Sequence, residues 1–282
     1  MLIFETAKAM QEWCLEQKQQ GQTIGLVPTM GYLHQGHMSL VQEARRQCDR
    51  VVVSIFVNPI QFGAGEDLDK YPRDLSGDCK LLEGEQTDAV FVPAVREMYP
   101  EGYSTFVEME GTITDRLCGA SRPGHFRGVT TVVSKLFNIC LPDRAFFGQK
   151  DVQQVMVIEK MVRELNFPLK IVRVPIKREE DGLAMSSRNV YLSSEQREQA
   201  LVLSQSLKQA AQIIKLGERD PAVVIAGIRA KIESAPEARI DYIEIYRAND
   251  LGDIKQIEGR ILIALAVKFG NTRLIDNLLV EV

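Results

Sequence analysis

Several residue types and signatures that would point to a particular class of protein are scarce or missing in this sequence. Its 282 residues include only 3 histidines and 1 tryptophan. The 5 cysteines are scattered without a CxxC pair, which predicts reduced thiols and argues against a structural zinc site. No apolar run reaches the roughly 18 residues that cross a bilayer. The N-terminus also lacks the basic start and apolar stretch of a secretory signal, so we expect a cytoplasmic protein.

A strong charge of either sign is also absent. The net charge is -4, which gives no electrostatic footprint for nucleic acid or an anionic membrane. Neither GxxxxGK[ST] nor GxGxxG occurs, so a P-loop and the usual dinucleotide fingerprint are excluded. Local basic clusters remain compatible with a small anionic ligand.

Residues 1–177 alternate short apolar runs with amphipathic helical patterns. The strand-like runs are TIGLVP (23–28), RVVVSIFVN (50–58), DAVFVP (88–93), RAFFG (144–148) and KIVRVPI (170–176). Helical patterns cover 37–48, 74–85, 129–140 and 152–165. This alternation predicts an α/β fold with a Rossmann-like, doubly wound parallel sheet. Ligands of such sheets bind outside the carboxyl ends of the strands.

Residues 178–282 have a different pattern. Ser193 and Gln196 form a capping-box signature, and Asp220-Pro221 resembles the start of a second helix. Strand-like runs follow at 240–246, 260–269 and 273–282. We therefore predict a second, smaller α+β domain.

Two of the three histidines stand in PTMGYLHQGH, residues 28–37. This stretch joins a predicted strand to a predicted helix, whose N-terminal N–H groups are suited to phosphate. Gly31 and Gly36 would let the backbone approach a ligand, beside which His34 and His37 could donate hydrogen bonds. A solvent-exposed pair and a metal pair are the alternatives. The flanking glycines favour phosphate, and a zinc site would need a third ligand.

Further polar segments follow other predicted strands. They are FVNPIQF (56–62), FGQKD (147–151), the glutamines at 153–154 and MSSRN (185–189), and SRPGHFRG (121–128) holds the third histidine. Each segment taken singly could be an ordinary turn or a solvated surface charge. Their joint position on the ligand-binding side of the sheet predicts one shared site.

The motifs resemble, in order, those of the pantothenate synthetase family, the pantoate–β-alanine ligases of the HxGH nucleotidyltransferase superfamily. The matching segments are PTMGxLHxGH, FVNPxQF, YPR (71–73), RPGHFRGV, KLFN (135–138), PDxAxFG (142–148), KDxQQ (150–154), DGLAMSSRNxYL (181–192) and LIDN (274–277). One departure is Gln149, where the family usually has glutamate. The resemblance implies ATP-dependent ligation of pantoate and β-alanine to pantothenate, AMP and pyrophosphate through a pantoyl adenylate.

The resemblance also implies roles for individual residues. His37 is the expected proton donor, and the catalytic set adds His34, Lys150, Arg188 and Ser186. The ATP-binding set comprises Met30, Gly31, Tyr32, Leu33, His34, Gln35, Gly36, His37, Gly148, Gln149, Lys150, Asp151, Lys177, Met185, Ser186, Ser187 and Arg188. Pantoate and β-alanine are expected at Gln61, Gln154, Met30 and Asn58. Asp78 would fix a histidine through a hydrogen bond, and His125 would shape the pantoate pocket.

Family membership implies further properties of the whole molecule. Mg²⁺ would accompany ATP, held mostly by phosphates, with no protein metal site. The protein would be a homodimer acting on small molecules, and residues 178–282 would form a lid associated with the dimer. Two alternatives stay open at this stage: another HxGH nucleotidyltransferase whose product retains the nucleotide, and a nucleotide-binding module without catalysis.

Overall fold

The computed structural model describes residues 1–282 and contains two sheets. The elements up to residue 174 are β1 (Leu2–Phe4), α1 (Ala7–Gln19), β2 (Ile24–Thr29), α2 (Gln35–Gln47), β3 (Arg50–Ile55), α3 (Leu75–Gly84), β4 (Ala89–Phe91), α4 (Val95–Met98), α5 (Thr112–Asp115), α6 (Cys118–Ser121), α7 (His125–Cys140), β5 (Arg144–Gly148), α8 (Val152–Glu164) and β6 (Lys170–Val174). Then follow α9 (Ser194–Gln199), α10 (Val202–Lys215), α11 (Pro221–Glu233), β7 (Ala238–Arg247), β8 (Arg260–Phe269) and β9 (Thr272–Glu281). Single 3-10 turns cover Pro59–Gln61, Gln149–Asp151 and Ser187–Tyr191.

The larger sheet has the strand order β1-β4-β3-β2-β5-β6, and all of its pairings are parallel. Successive residues of each strand point to opposite faces. Leu26 and Val52 pack towards α1, α7 and α8, whereas Val27 and Val53 pack towards α2 and α3. Burial on both faces explains the continuous apolar runs of the sequence. The predicted doubly wound parallel sheet is confirmed.

The sequence pattern did not predict β1 and α1. β1 has only three residues, lies at the sheet edge and is half exposed. Helix α1 buries only Met10, Cys14 and Gln17, so its apolar stripe is narrow. Both elements gain their stability from tertiary contacts more than from local pattern.

The smaller sheet is antiparallel, with β8 between β7 and β9. One face of β8, including Ile261 and Ile263, packs with α10 and α11. The other face, including Leu262 and Ala264, joins the apolar core of the larger sheet. The predicted second α+β unit is confirmed as an architecture, and the boundary at 177/178 stays a prediction.

Both predicted helix starts of this second unit are confirmed. Ser193 and Gln196 form a reciprocal capping box at α9, and the Asp220 side chain caps α11 with Pro221 in its first turn. The helix that begins at this capping box is short, since α9 ends at Gln199 and α10 begins at Val202. None of the helices combines the length and the apolar character that crossing a bilayer requires.

Helix α7 approaches the Pro59–Gln61 turn at Gly128. A Cβ atom added there would lie 2.5 Å from the Ile60 carbonyl oxygen and 2.6 Å from the Gln61 Cα. Asn58 Nδ2 donates a hydrogen bond to the Gly128 carbonyl oxygen at 3.1 Å, which holds the two backbones together. Glycine at this position therefore sets the place of the turn that carries Gln61.

We predict that Gly128→Ala destabilises the protein, although alanine has the higher helix propensity. Because the clash is with backbone atoms at 2.5 Å and 2.6 Å, its cost should lie at or above the upper end of the roughly 1–3 kcal/mol range for overpacking, which exceeds the roughly 1 kcal/mol gain in propensity. Gly227→Ala in α11 is the matched control, because a Cβ there meets nothing within 4 Å. Urea unfolding should show a lower free energy of unfolding for Gly128→Ala than for the parent protein, and no decrease for Gly227→Ala. Equal stabilities of the two variants would contradict the close approach.

Candidate active site

A cavity of about 230 Å³ lies at the carboxyl ends of the parallel strands. It sits over β2 and β5, the neighbouring strands from which the chain continues in opposite directions along the sheet. A wider cleft of about 1360 Å³, bordered by residues of β7, β8 and β9, shares part of its lining. The shared residues are Arg122, His125, Lys150, Asp151, Gln154, Ser186 and Arg188.

Most of the predicted site residues line the smaller cavity. These are Met30, His34, Gly36, His37, Asn58, Gln61, His125, Gly148, Lys150, Asp151, Gln154, Lys177, Met185, Ser186, Ser187 and Arg188. Others lie beside it without lining either opening: Gly31, Tyr32, Leu33, Gln35, Asp78 and Gln149. The segments that were separate in the sequence thus come together in one place.

The loop after β2 turns sharply before α2 begins. Gly31 and Tyr32 have φ angles of 84° and 50°, in the left-handed region that costs a side-chain-bearing residue energy. The buried Asp78 carboxylate accepts N–H groups from Tyr32 at 2.9 Å and Leu33 at 2.6 Å. Asp78 therefore accepts hydrogen bonds from main-chain N–H groups and not, as expected, from a histidine.

His34 and His37 occupy the first turn of α2, one as the cap and one in the third helical position. His34 Nδ1 accepts the Gly36 N–H at 3.1 Å, and His37 Nδ1 accepts the His34 N–H at 3.2 Å. Their ring centroids are 4.1 Å apart. Because Nδ1 is the acceptor in both rings, the neutral imidazoles carry their hydrogen on Nε2 and can donate from it.

Both rings are held in the neutral form. Burial, and then the nearby Lys150 charge, lowers the pKa of His34 to about 4. Burial, His34 and Lys150 together lower the pKa of His37 well below its usual value. An anion bound beside these rings would oppose the shifts, since it would favour the protonated state.

A network of amides lies on the other side of the cavity. Asn58 Nδ2 donates to Gln61 Oε1 at 2.9 Å, and the Tyr99 hydroxyl donates to Asn58 Oδ1 at 2.8 Å. The Gln61 side chain contacts Met30, with Nε2 3.3 Å from Sδ. His125 Nδ1 lies 2.9 Å from the Gln61 carbonyl oxygen, so this histidine supports the turn from behind. These neutral groups can both donate to and accept from a hydroxy acid.

The segment from residue 121 to 128 does not follow a strand, in contrast to the other polar segments. It leads into α7, and His125 is the first residue of that helix. Burial, followed by the Arg122 charge, lowers the pKa of His125 to about 4. Arg122 Nη1 lies 3.0 Å from His125 Nε2.

Two arginines at the cavity are paired with carboxylates of the segment 63–70. Arg122 forms two hydrogen bonds of 2.6 Å with Glu66, and Arg188 forms two of 2.8 Å with Asp67. The Arg188 guanidinium also lies over the Tyr71 ring. Glu66, Asp67, Tyr71 and Arg122 were missed as site residues, although the YPR and RPGHFRG motifs pointed to two of them.

The loop that precedes Arg188 is tied back to the histidine loop. Ser187 Oγ donates to the Tyr32 carbonyl oxygen at 3.1 Å, and Ser186 Oγ accepts the Arg188 N–H at 3.2 Å. The Met185 N–H bonds to the Lys177 carbonyl oxygen at 3.0 Å, so these two residues meet through their main chains.

Lys150 stands between the two openings on the turn after β5. Its side chain is 20% exposed, and its nearest carboxylate is Asp151, with Nζ 3.9 Å from Oδ2. The Gln149 side chain points away from the cavity towards β9, where its Nε2 lies 3.4 Å from Asn277 Oδ1. The chain nowhere groups three histidine, cysteine, aspartate or glutamate side chains in a way that could hold a metal ion.

The chain is similar to known proteins over its whole length. The family described as "Pantoate-beta-alanine ligase" matches residues 2–279. Curated relatives named "Pantothenate synthetase" include one from Syntrophomonas wolfei, 66% identical over the full length of both chains. Another, from Acetivibrio thermocellus, is 57% identical over the full length of both chains.

Solved structures show the same similarity in three dimensions. A pantothenate synthetase from Thermus thermophilus is 45% identical, with a TM-score of 0.94 and 99% of each chain covered. A pantoate–β-alanine ligase from Francisella tularensis, described as complexed with "Beta-gamma ATP and Beta-alanine", is 36% identical with a TM-score of 0.82. The similarity to it covers 99% of this chain and 97% of that one. The chain therefore belongs to the pantoate–β-alanine ligase family.

Proposed function

We propose that this ligase acts in two steps within the cavity at the ends of β2 and β5. A carboxylate oxygen of pantoate attacks the α-phosphorus of ATP, the bond from that phosphorus to the bridging oxygen breaks, and pyrophosphate leaves. The amine of β-alanine then attacks the acyl carbon of pantoyl adenylate. The bond to AMP breaks, the amine nitrogen gives up a proton, and pantothenate is formed.

The observation that carries this proposal is the convergence of His34, His37 and Lys150 beside the first turn of α2. His34, His37 and Lys150 line one cavity, in which the two neutral imidazoles carry a hydrogen on Nε2 and the positive end of the α2 dipole lies beside the ammonium group. Such fixed donors stabilise the charge that develops on phosphate oxygens as pyrophosphate leaves. The ATP analogue and β-alanine bound by the Francisella relative support the same ligands here.

The remaining roles follow from position. We assign pantoate to the amides of Gln61 and Gln154, with Asn58 orienting Gln61. Ser186, Ser187 and Arg188 would hold phosphates, and Arg188 would exchange Asp67 for them. The amide pair next to the phosphate donors favours a hydroxy acid as co-substrate. The other HxGH transferases and a non-catalytic module, which need no such pair, are therefore not favoured.

Mg²⁺ is proposed to enter with ATP. Asp151 is the one carboxylate that lines the smaller cavity. Magnesium that keeps several waters and binds mainly to phosphate fits such a sparse donor set. When bound, the ion would neutralise phosphate charge. We also propose, from the family resemblance, a cytoplasmic homodimer in which residues 178–282 form a lid over residues 1–177.

The two-step scheme makes one direct prediction. Labelled pyrophosphate should exchange into ATP when pantoate is present and β-alanine is absent, because adenylation does not involve the amine. A mixture without pantoate is the control and should show no exchange. Exchange that required β-alanine would rule out a free-standing adenylation step.

Removal of the Lys150 charge should slow adenylation without unfolding the protein. We expect Lys150→Ala to lower single-turnover formation of pantoyl adenylate by at least about 10²–10³-fold, as for a lost transition-state donor. Lys160→Ala is the control, because Lys160 lies in α8 and pairs with Glu164 outside either opening. Melting temperatures of both variants should stay near that of the parent. Full-rate adenylation by Lys150→Ala would remove Lys150 from the chemistry.

The lowered histidine pKa values predict an acid-sensitive fold. Below about pH 6.5 these histidines bind protons in the unfolded chain but not in the folded protein. The free energy of unfolding is therefore at its full value above that pH and decreases as the pH falls towards about 4. Each histidine contributes up to about 1.4 kcal/mol per pH unit. Urea unfolding at pH 7.5, 6.5 and 5.5 should show this slope, and His125→Gln should reduce it by about a third, since it removes one of three such groups. An unchanged slope in His125→Gln would show that His125 is not held neutral.

A further inference from the structure

The last strand of the chain reaches the turn that carries Lys150. Asn277 in β9 is 3% exposed. Its Nδ2 donates to the Gln149 carbonyl oxygen at 3.0 Å and to the Lys150 carbonyl oxygen at 2.9 Å. The Asn277 side-chain amide of the smaller sheet thus donates both of its hydrogens to two consecutive residues of the turn after β5 in the larger sheet.

The orientation of this amide is consistent with its surroundings. Asn277 Oδ1 lies 3.4 Å from Gln149 Nε2, so an acceptor faces a donor on that side as well. An aspartate at 277 would place an acceptor against two carbonyl oxygens. Asparagine is the residue of this size that satisfies all three contacts.

The turn has little else to hold it. The 3-10 turn Gln149–Asp151 and the start of α8 both lack a side-chain cap of their own. Lysine carries its charge on a flexible four-carbon stem, so the position of its ammonium group depends on a fixed backbone. The two bonds from Asn277 supply that restraint from outside the turn.

Asp276, the residue before Asn277, connects β9 to the second segment that is proposed to bind ATP, residues 185–188. The Asp276 carboxylate is 2% exposed and accepts two hydrogen bonds from Arg178, at 2.7 Å and 2.9 Å. Arg178 pairs with Ala184 in a β-bridge just before Met185–Arg188. Adjacent residues of β9 point to opposite faces of the sheet and so contact two different loops of the site.

We propose that Asn277 is a positioning residue for Lys150. It fixes the Gln149–Lys150 backbone so that the ammonium group stays beside His34 and His37, and it has no contact of its own with the reacting atoms. This inference rests on the proposed role of Lys150 at the ATP phosphates. Asn277 would add the last strand, β9, to the elements that determine the geometry of the site.

A double-mutant cycle tests the proposal in the full-length enzyme. Single-turnover formation of pantoyl adenylate from ATP and pantoate is measured for the parent, Asn277→Ala, Lys150→Ala and the double variant. Misplacement of a catalytic group by about 1 Å can cost ~10²-fold, so we expect Asn277→Ala to be about 10–100-fold slower. In the Lys150→Ala background the same substitution should cost less than about 3-fold, because the group it positions is gone.

Leu278→Ala is the matched control. Leu278 is the next residue of β9 and packs on the opposite face, with the core of α10 and α11. It should lower the melting temperature while the folded protein keeps the parent rate. Asn277→Ser, which retains one donor, should be intermediate in rate and serves as the test variant if Asn277→Ala does not fold.

The outcomes separate the two hypotheses. Parent-like adenylation by Lys150→Ala would overturn the role of Lys150 and, with it, the positioning role. A slow Lys150→Ala beside a parent-like Asn277→Ala would overturn the positioning role alone. So would an Asn277→Ala defect of equal size in both backgrounds, or an equal defect in Leu278→Ala, since each would indicate a general structural effect.

Discussion

The placement of β2 between β3 and β5 is the constraint on which the site depends. Strand β2 is buried along most of its length, and the chain turns from it to β3 on one side and returns to β5 on the other. Only a few residues separate its end from α2, so the loop has to turn through left-handed backbone at Gly31 and Tyr32. The Asp78 carboxylate holds that backbone by accepting two N–H groups. The imidazoles of α2 face the cavity because this turn is held.

The charges of the site are arranged in two different ways. The histidines are neutral, and the one carboxylate paired with Lys150 is Asp151, with Nζ 3.9 Å from Oδ2, which is too long for a hydrogen bond and leaves the ammonium hydrogens available to an anion. The arginines, in contrast, are already paired with Glu66 and Asp67. Ion pairs of this kind contribute more to placing a guanidinium than to net stability. In the proposed reaction, phosphate oxygens compete with Asp67 for Arg188, whereas Glu66 of the same segment keeps its pair with Arg122.

The smaller sheet is part of the scaffold that supports the larger sheet. Leu262 and Ala264 of β8 belong to the apolar core of the larger sheet, and Arg116 reaches Asp253 with hydrogen bonds of 2.7 Å and 2.8 Å. The lid movement proposed above would have to preserve this buried surface.

The sequence by itself determined the alternation of strands and helices, the two kinds of sheet and the family. Each of these depends on local spacing or on ordered motifs, as in the capping box at Ser193 and in PTMGYLHQGH. Short elements such as β1 were not predicted, because three half-exposed residues have no recognisable period. The hydrogen-bond partners could not be predicted: Asp78 binds main chain, Gln149 faces β9, and Asn277 holds two carbonyl oxygens 127 and 128 positions away in sequence. Pairings between segments so distant in the chain are decided only when the two sheets pack together, because periodicity records which face a residue occupies and not what lies opposite it.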